Sequence, residues 1–230
     1  MIRITGDTHR DLSRFPDHWS EGDKLIITGD FGFVMFGEQP GEYSDKPALD
    51  ILAQKPYEIL FIDGNHEGFD FLVTYPEEQR YGGPVRRIRD NIFWLQRGRI
   101  YTIEGKTFFT LGGAYSMDKP RRLAWAARNE GRKIWFPQEL PSALEYQTAW
   151  TQLHRAGMQV DYILTHTAPQ SFIEYVIGEK PDSKDEDLTE FLDGIYRDVS
   201  FKKWFFGHFH TDKCLLGKLY ACLTEVHELD

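Results

Sequence analysis

The sequence has little cysteine and no long apolar run. Its 230 residues include two cysteines, Cys214 and Cys222, which form no Cys-x-x-Cys pair. This argues against a disulfide framework and favours a reducing compartment, so we expect a cytoplasmic protein. No apolar segment approaches the roughly 18–20 residues that a membrane-spanning helix needs. The N-terminal stretch, MIRITGDTHR, carries no signal-peptide pattern.

The composition is that of an ordinary globular protein. Hydrophobic residues make up 41% of the chain and charged residues 27%, which excludes an extensively disordered chain. The length suits one large domain or two small ones. Because the sequence contains no repeat, low-complexity tract or clear linker, we expect one domain over residues 1–230.

Charge is distributed unevenly. The net charge of −9 argues weakly against a simple nucleic-acid binder, yet residues 80–135 hold 13 Lys and Arg against 4 Asp and Glu. This basic middle has two interpretations that the sequence leaves open. It can compensate acidic side chains elsewhere on the surface, or it can form an anion-attracting surface.

The first third of the chain predicts alternating strands and helices. Three apolar, β-branched runs each end in glycine and polar residues: IRITGDTH, LIITGDFG and EILFIDGNHE. Runs of this kind are typical of strands that are buried on both faces. The stretches between them, DLSRFPDHW and PALDILAQK, have helical character. This alternation indicates βαβ units.

The pattern changes after residue 84. Residues 85–114 alternate as antiparallel strands do, with a hairpin turn at residues 104–106, and residues 115–140 form an inserted excursion without a clean period. A helix in PSALEYQTAWTQLHRAG, a buried strand in VDYILTHTAP and an acidic helix in SKDEDLTEFLDGIYRDV follow. We then expect a strand at KWFF and one closing hairpin in KCLLGKLYACLTEVHEL.

Polar side chains follow five of the predicted buried strands. Alone, each is more often a turn residue or a surface histidine. Because the carboxyl ends of parallel strands meet at one edge, their repeated occurrence there predicts a shared site. The residues are Asp7, His9, Asp30, Asn65, His66, Glu67, His166, His208 and His210.

The donor types suit divalent cations. Imidazole and carboxylate groups bind Mn, Fe, Zn or Ni, and an aspartate can bridge two ions roughly 3.5–4 Å apart. No cysteine occupies any of these positions, so a structural zinc site is disfavoured. We therefore expect two divalent metal ions, with Mn²⁺ the favoured one.

The motifs Gly6-Asp7-Thr8-His9, Gly29-Asp30, Gly64-Asn65-His66-Glu67, Thr165-His166 and Gly207-His208-Phe209-His210 resemble those of the calcineurin-like metallophosphoesterases. The resemblance implies an α/β fold of the αββα type: a β-sandwich of two mixed sheets flanked by helices, here with a basic insertion between the later strands. It implies that Asp7, His9, Asp30 and His210 hold one metal ion, and that Asp30, Asn65, His166 and His208 hold the other.

The resemblance also implies a dinuclear metal-dependent phosphoesterase in which a hydroxide bound between the ions attacks phosphorus. In that mechanism His66 faces the substrate and protonates the leaving oxygen. Glu67 either orients His66 or a neighbouring backbone group, or is a solvated acid at a strand end.

The chain departs from the protein phosphatases of that family, which carry Asp-Arg-Gly after the second motif. Here Gly29-Asp30 continues into FGFVMFG, which argues against phosphoprotein substrates. Arg10 stands where the family more often has glycine. It either reaches a substrate phosphate or is an exposed residue that leads a helix.

The excursion at 115–140 suggests a lid for nucleotides or nucleic acid, with Arg122 and Trp135 as candidate substrate-binding residues, since arginine suits phosphate and tryptophan stacks on bases. Alternatively it is a cap with its own small core. We expect a phosphodiesterase or nucleotide phosphatase acting on a phosphorylated small molecule, a nucleotide or nucleic acid, without a membrane or protein partner.

Three other functions stay open. One is a nuclease or debranching-type activity on structured nucleic acid, because residues 64–67 (GNHE) followed by residues 91–119 also resemble the lariat-debranching and nuclease-like branch. Another is a scaffold that has lost catalysis, which the complete set of donors disfavours. The third is a two-metal hydrolase that acts on bonds other than phosphoesters.

Overall fold

The structure, a computed structural model, describes residues 1–178, 180 and 182–229. Its strands are β1 (Ile2–Thr5), β2 (Lys24–Thr28), β3 (Glu58–Ile62), β4 (Glu77–Arg80), β5 (Gly83–Arg89), β6 (Ile92–Leu95), β7 (Arg99–Ile103), β8 (Lys106–Leu111), β9 (Tyr162–Thr165), β10 (Lys203–Phe206), β11 (Lys213–Leu215), β12 (Leu219–Ala221) and β13 (His227–Leu229). The α-helices are α1 (Lys46–Leu52), α2 (Phe69–Leu72), α3 (Lys119–Arg128), α4 (Ala143–Arg155), α5 (Gln170–Ile177) and α6 (Glu186–Asp198). None of the helices in these described ranges is long and apolar enough to cross a membrane.

The strands form two mixed sheets. The first has the order β13-β1-β2-β3-β6-β5-β4, and the second has the order β11-β12-β10-β9-β8-β7. In the first sheet β1, β2, β3 and β6 are parallel, and the outer strands pair antiparallel. In the second sheet β8, β9, β10 and β12 are parallel, with antiparallel strands at both edges.

The apolar residues of the central strands are buried on both faces. On β2, Ile26 packs between the two sheets, whereas Leu25 and Ile27 pack on the outer side of the first sheet with α1. Helices α4, α5 and α6 cover the outer side of the second sheet through residues such as Leu153 and Leu192. The layers are therefore helix, sheet, sheet and helix, which confirms the predicted αββα arrangement.

Two local predictions have clear outcomes. The predicted hairpin turn joins β7 and β8, and Glu104 and Gly105 both have positive φ, as a tight two-residue turn requires. The predicted helix in DLSRFPDHW is wrong, because only Leu12–Arg14 form a single 3₁₀ turn. Asp11 accepts a hydrogen bond from Ser13 N and starts this turn, and Pro16 follows two residues after it, where it disfavours helical continuation.

The C-terminal segment forms one element beyond the predicted hairpin. Strands β11 and β12 pair antiparallel, which confirms that hairpin. The chain then crosses to the first sheet, where β13 pairs antiparallel with β1. The described C-terminal strand thus joins the two sheets beside the strand that leads to Asp7.

The excursion at 115–140 contains α3 and a 3₁₀ turn at Pro137–Glu139. Most side chains of α3 are at least partly exposed, and Arg122 is its buried residue. Helix α4 follows where its pattern predicted it, with a capping box formed by Ser142 and Glu145.

Candidate metal centre

The predicted donors follow strands of both sheets. Asp7 comes after β1, Asp30 after β2 and Asn65 after β3, all in the first sheet. His166 comes after β9 and His208 after β10, both in the second sheet. The carboxyl ends of these parallel strands meet, and the side chains lie in contact with one another.

One group of donors contains two carboxylates and two imidazoles. Asp7, His9, Asp30 and His210 each offer a ligand atom, and these atoms all lie within 4.8 Å of one another. His9 Nε2 is 2.9 Å from His210 Nε2 and 3.7 Å from Asp30 Oδ2. Asp7 Oδ2 is buried and has no hydrogen-bond partner among the described residues, which leaves a carboxylate oxygen available for a cation.

A second group surrounds the amide oxygen of Asn65. His166 Nε2 lies 3.1 Å from Asn65 Oδ1, and His208 Nδ1 lies 3.2 Å from the same oxygen. His166 Nε2 is also 3.3 Å from Asp30 Oδ1. Ligands about 2.0–2.2 Å from one ion are roughly 3–3.5 Å from each other, so these separations suit donors that share a cation.

Asp30 lies between the two groups. Its Oδ1 faces His166, and its Oδ2 faces His9. The His66 backbone N–H donates to Oδ1 over 2.8 Å, and the carboxylate is 1% exposed. This is the geometry of an aspartate that could bridge two ions.

The backbone at the site is strained. Five of the seven predicted ligands have positive φ, at 44° to 71°, a conformation uncommon for residues other than glycine. Such residues cluster at functional sites, where the surrounding structure holds them. The five are Asp7, His9, Asp30, His208 and His210.

Two glycines make the close approach of the donors possible. A Cβ atom on Gly29 would lie 2.1 Å from His166 Nδ1, and Gly29 itself has a φ of +91°. A Cβ atom on Gly64 would lie 2.1 Å from Asp30 Oδ1. The glycines of the Gly-Asp and Gly-Asn motifs are therefore required by the packing of the site.

Burial and charge perturb the donors strongly. Burial raises the pKa of Asp7 to about 7, although the nearby His166 opposes this shift. Burial also acts to raise the pKa of Asp30, but the charge and hydrogen bond of His166 outweigh it and hold that pKa well below its usual range. Burial alone would lower the pKa of His166, whereas Asp30 raises it to about 10.

Three other imidazoles of the site, those of His9, His66 and His208, are held neutral. Burial lowers the pKa of His66 to about 4 and the pKa of His208 to about 3, and burial also lowers the pKa of His9. Neutral imidazole is the form that binds metal ions. With two buried carboxylates, one unpartnered carboxylate oxygen, an amide oxygen and partly exposed imidazoles, this donor set fits divalent cations.

Helix α3 brings Arg122 to the site. The Arg122 guanidinium contacts His66 Nε2 and donates to the Asn65 carbonyl over 2.7 Å. Its Nε donates to Asp118 Oδ1 over 2.7 Å. Arg122 is 3% exposed, so it stabilises the His66 loop from a buried position.

The structure places two further predicted residues away from the donors. The Arg10 guanidinium donates to the buried carboxylate of Asp45 and to the Ser44 carbonyl, so it ties the loop after β2 together. The Lys119 ammonium lies 3.7 Å from the centre of the Trp135 ring. Substrate contact by Arg10 or Trp135 stays a prediction.

Glu67 is not a solvated acid. It is fully buried, and it accepts hydrogen bonds from Phe31 N over 2.8 Å and Gly32 N over 3.4 Å. Burial raises the pKa of Glu67 well above its usual range. The carboxyl group therefore orients the backbone that follows Asp30.

Sequence reasoning missed Ser116, which lies behind Asn65. Asn65 Nδ2 donates to Ser116 Oγ over 3.1 Å, which turns Oδ1 toward His166 and His208. Ser116 N and Oγ both donate to the buried Glu139 carboxylate, over 3.1 and 2.5 Å. No local pattern marks Ser116, because its importance arises from a contact 51 residues away in sequence.

Comparison with known proteins adds a family match. A family model described as calcineurin-like phosphoesterase matches residues 1–212, and no curated protein matches the chain significantly. Two solved structures are similar to this chain. One is a candidate 5′-nucleotidase from Staphylococcus aureus in complex with alpha-ketoglutarate, at 13% identity and a TM-score of 0.49, covering 98% of this chain. The chain spans 49% of the length of that protein. The other is the phosphopantetheinyl hydrolase of Mycobacterium tuberculosis, at 15% identity and a TM-score of 0.46, with 96% of this chain and 89% of that one covered.

Proposed function

The chain belongs to the calcineurin-like phosphoesterase family, and we propose that it hydrolyses a phosphodiester or a nucleotide with the help of two divalent cations. Family membership supports metal-dependent phosphoester hydrolysis. The observation that carries the two-cation proposal is the position of Asp30, whose two carboxylate oxygens face two separate groups of donors.

Each cation would have four protein donors. One would be held by Asp7, His9, Asp30 and His210, and the other by Asp30, Asn65, His166 and His208. When bound, such cations supply Lewis acidity: they neutralise charge on phosphoryl oxygens and lower the pKa of water. The predominance of imidazole and carboxylate suits Mn²⁺, Fe²⁺, Zn²⁺ or Ni²⁺, and we favour Mn²⁺.

His66 would act on the leaving oxygen. Its Nε2 lies 4.0 Å from Asp30 Oδ2 and contacts the Arg122 guanidinium. The imidazole is therefore held beside the donor groups with its ring orientation fixed. The imidazole is neutral without substrate, and the negative charge of a bound phosphate would favour its protonated form. A proton or hydrogen bond given to the leaving oxygen by this form would contribute roughly 10²–10⁴-fold to the rate.

The ion pairs of the basic middle favour a small substrate over structured nucleic acid. Five of its arginines are each paired with a carboxylate, which supports the charge-compensation interpretation. The pairs are Arg80–Glu58, Arg86–Glu77, Arg87–Glu78, Arg89–Glu38 and Arg97–Asp63. Arginines engaged in this way contribute little to a phosphate-binding surface.

We also propose that residues 115–140 are a cap within a single domain of residues 1–230. The contact of Arg122 with His66 supports this, because it joins the segment directly to the site. Both cysteines are free, in keeping with our proposal of a reducing, cytoplasmic location.

The experiment is a hydrolysis assay with model esters. Protein is stripped of metal, reloaded with Mn²⁺, and offered bis-p-nitrophenyl phosphate and p-nitrophenyl phosphate. We expect metal-dependent turnover that falls in His66→Ala, by less than the roughly 10²–10⁴-fold of general acid catalysis because p-nitrophenolate is a weakly basic leaving group. His154→Ala, which alters a histidine at the end of α4, is the matched control. Equal turnover by metal-free and reloaded protein would refute the proposal.

A further inference from the structure

A second cavity adjoins the cavity of the donor groups at His66. The donor cavity has a volume of about 430 Å³ and includes Asp30, Asn65 and His208. The neighbouring cavity has a volume of about 390 Å³ and lies between α3 and the loop after β2. His66 and Arg122 line both cavities, so a molecule bound at the donors could extend past His66 into the second space.

The second cavity has an aromatic wall. Trp125 and Phe36 line it, with their ring centres 6.2 Å apart, and the Tyr43 ring stands edge-on to Trp125 at 5.9 Å. All three rings are partly exposed. A further cavity of about 290 Å³ continues past Phe36 and Tyr43. A flat ring system would find both a stacking face and room here.

The same cavity is positively charged. Arg121 and Arg128 line it, are exposed, and form no ion pair with any of the described residues. The arginines of the basic middle outside α3, by contrast, are mostly paired with carboxylates. The acidic residue at the cavity, Asp118, is already bound to Arg122. Arginine side chains free in this way suit phosphate groups.

We propose that this cavity receives the leaving group of the reaction and that the leaving group is a nucleotide. The base would stack on Trp125, and the phosphate of the nucleotide would bind Arg121 and Arg128. This inference rests on the proposed function, because it takes His66 as the residue that meets the leaving oxygen. Trp125, Arg121 and Arg128 are then specificity residues.

The reaction can be written for ADP as the substrate. The oxygen of a water molecule forms a bond to the terminal phosphorus, and the bond from that phosphorus to the bridging oxygen breaks. The electron pair stays with the bridging oxygen, which leaves as part of AMP and takes up a proton at His66. One proton of the water replaces, by way of solvent, the proton that His66 has given up, and the other remains with the released inorganic phosphate, so the products are AMP and phosphate.

The test compares ADP with pyrophosphate on Mn²⁺-loaded protein. Both substrates have an anionic leaving group, but only ADP carries a base. We expect the ratio of kcat/KM for ADP to kcat/KM for pyrophosphate to fall roughly 5- to 150-fold in Trp125→Leu, the range that corresponds to stacking of one base. Trp125→Phe, which keeps an aromatic face, should restore most of this ratio.

Arg128→Gln should lower the hydrolysis of both substrates, whereas Trp125→Leu should lower mainly the hydrolysis of ADP. Because both leaving groups are anionic, we expect kcat/KM to fall for both and their ratio to change little. The matched controls are Arg155→Gln at the end of α4 and Tyr175→Leu on α5, both exposed residues that do not line the cavity. A ratio is insensitive to the fraction of folded protein, so a loss of stability cannot imitate the expected result.

Failure of this inference is distinguishable from failure of the proposed function. If the wild-type protein hydrolyses neither model ester with any of the four metals, the proposed function is wrong. If it hydrolyses the model esters but Trp125→Leu leaves the ADP-to-pyrophosphate ratio unchanged, or if neither anhydride is hydrolysed, the leaving-group assignment is wrong. A higher kcat/KM for a single-stranded oligonucleotide than for ADP would also overturn it.

Discussion

Ser116→Ala tests whether the serine behind Asn65 positions a metal ligand. The hydroxyl of Ser116 accepts from Asn65 Nδ2 over 3.1 Å and donates to Glu139 over 2.5 Å. Without it, the Asn65 amide loses this acceptor and can rotate its NH₂ group toward His166 and His208, where an oxygen is needed. The substitution leaves every proposed ligand residue in place.

The expected effect follows from two magnitudes. A lost hydrogen bond of this kind costs about 0.5–1.5 kcal/mol, which is a factor of roughly 2–13 in an equilibrium constant. Substitutions behind metal ligands typically weaken metal affinity about 10- to 100-fold. We therefore expect the ion held by Asn65 to bind at least about tenfold more weakly, while the ion held by Asp7, His9 and His210 changes little.

Isothermal titration calorimetry of metal-free protein with Mn²⁺ measures this directly, since it resolves two binding steps. Ser142→Ala is the control, because it removes the N-cap of α4 and costs about 0.5–2 kcal/mol of stability without touching the site. If Ser116→Ala bound both ions with wild-type affinity, the positioning role of Ser116 would be refuted.

Three further predictions concern stability and turnover. In Gly29→Ala the new Cβ would meet His166 Nδ1 at 2.1 Å. The free energy of unfolding should therefore fall by more than the roughly 1–2 kcal/mol that a residue other than glycine costs in the left-handed conformation. The control is Gly157→Ala, because Gly157 also has positive φ but no atom within 4 Å of an added Cβ. Urea unfolding measures the stability of both variants. Burial raises the pKa of Asp185 to about 7, so the folded state holds an extra proton and stability falls as pH rises from about 4 to 7. In Asp185→Asn the urea midpoint of unfolding should fall less between these pH values than it does in the wild-type protein. A wild-type dependence of the midpoint on pH in this variant would contradict the reasoning. Arg122→Lys keeps the charge but loses the fork that binds His66 and Asn65, so kcat/KM on model esters should fall roughly 10- to 100-fold.

The central architecture follows from local sequence features. The runs before Asp30 and Asn65 are mostly apolar because β2 and β3 pack on both faces, whereas β1, before Asp7, packs its isoleucines on one face only. The donors could be predicted because each lies directly after such a strand, where parallel strands deliver their ends to one edge. The glycines before them supplied a second signal, since a Cβ atom at Gly29 or Gly64 would collide with a donor.

Other features depend on contacts between distant segments and left no local signal. Strand β13 pairs with β1 across 225 or so residues, and its sequence, HEL, is too short to show a period. The burial of Arg122 against His66 and of Glu139 against Ser116 joins α3 and the turn after it to the site. An arginine in an exposed-looking basic segment gives no indication from sequence alone that its guanidinium is buried. The predicted helix at DLSRFPDHW failed because Pro16 and the cap at Asp11 limit it to one turn.

The central claim is that two cations held on either side of Asp30 support hydrolysis. The most direct test measures the number of bound metal ions and the rate of turnover on the same samples of wild-type protein and Asp30→Asn. Both are stripped, reloaded with Mn²⁺, desalted and analysed by elemental mass spectrometry beside hydrolysis of bis-p-nitrophenyl phosphate. Because Asp30 faces both donor groups, the account predicts two ions per wild-type chain with turnover, and at most one ion in Asp30→Asn with turnover lost. Two ions and full turnover in Asp30→Asn, or turnover in wild-type protein that carries no metal, would contradict it.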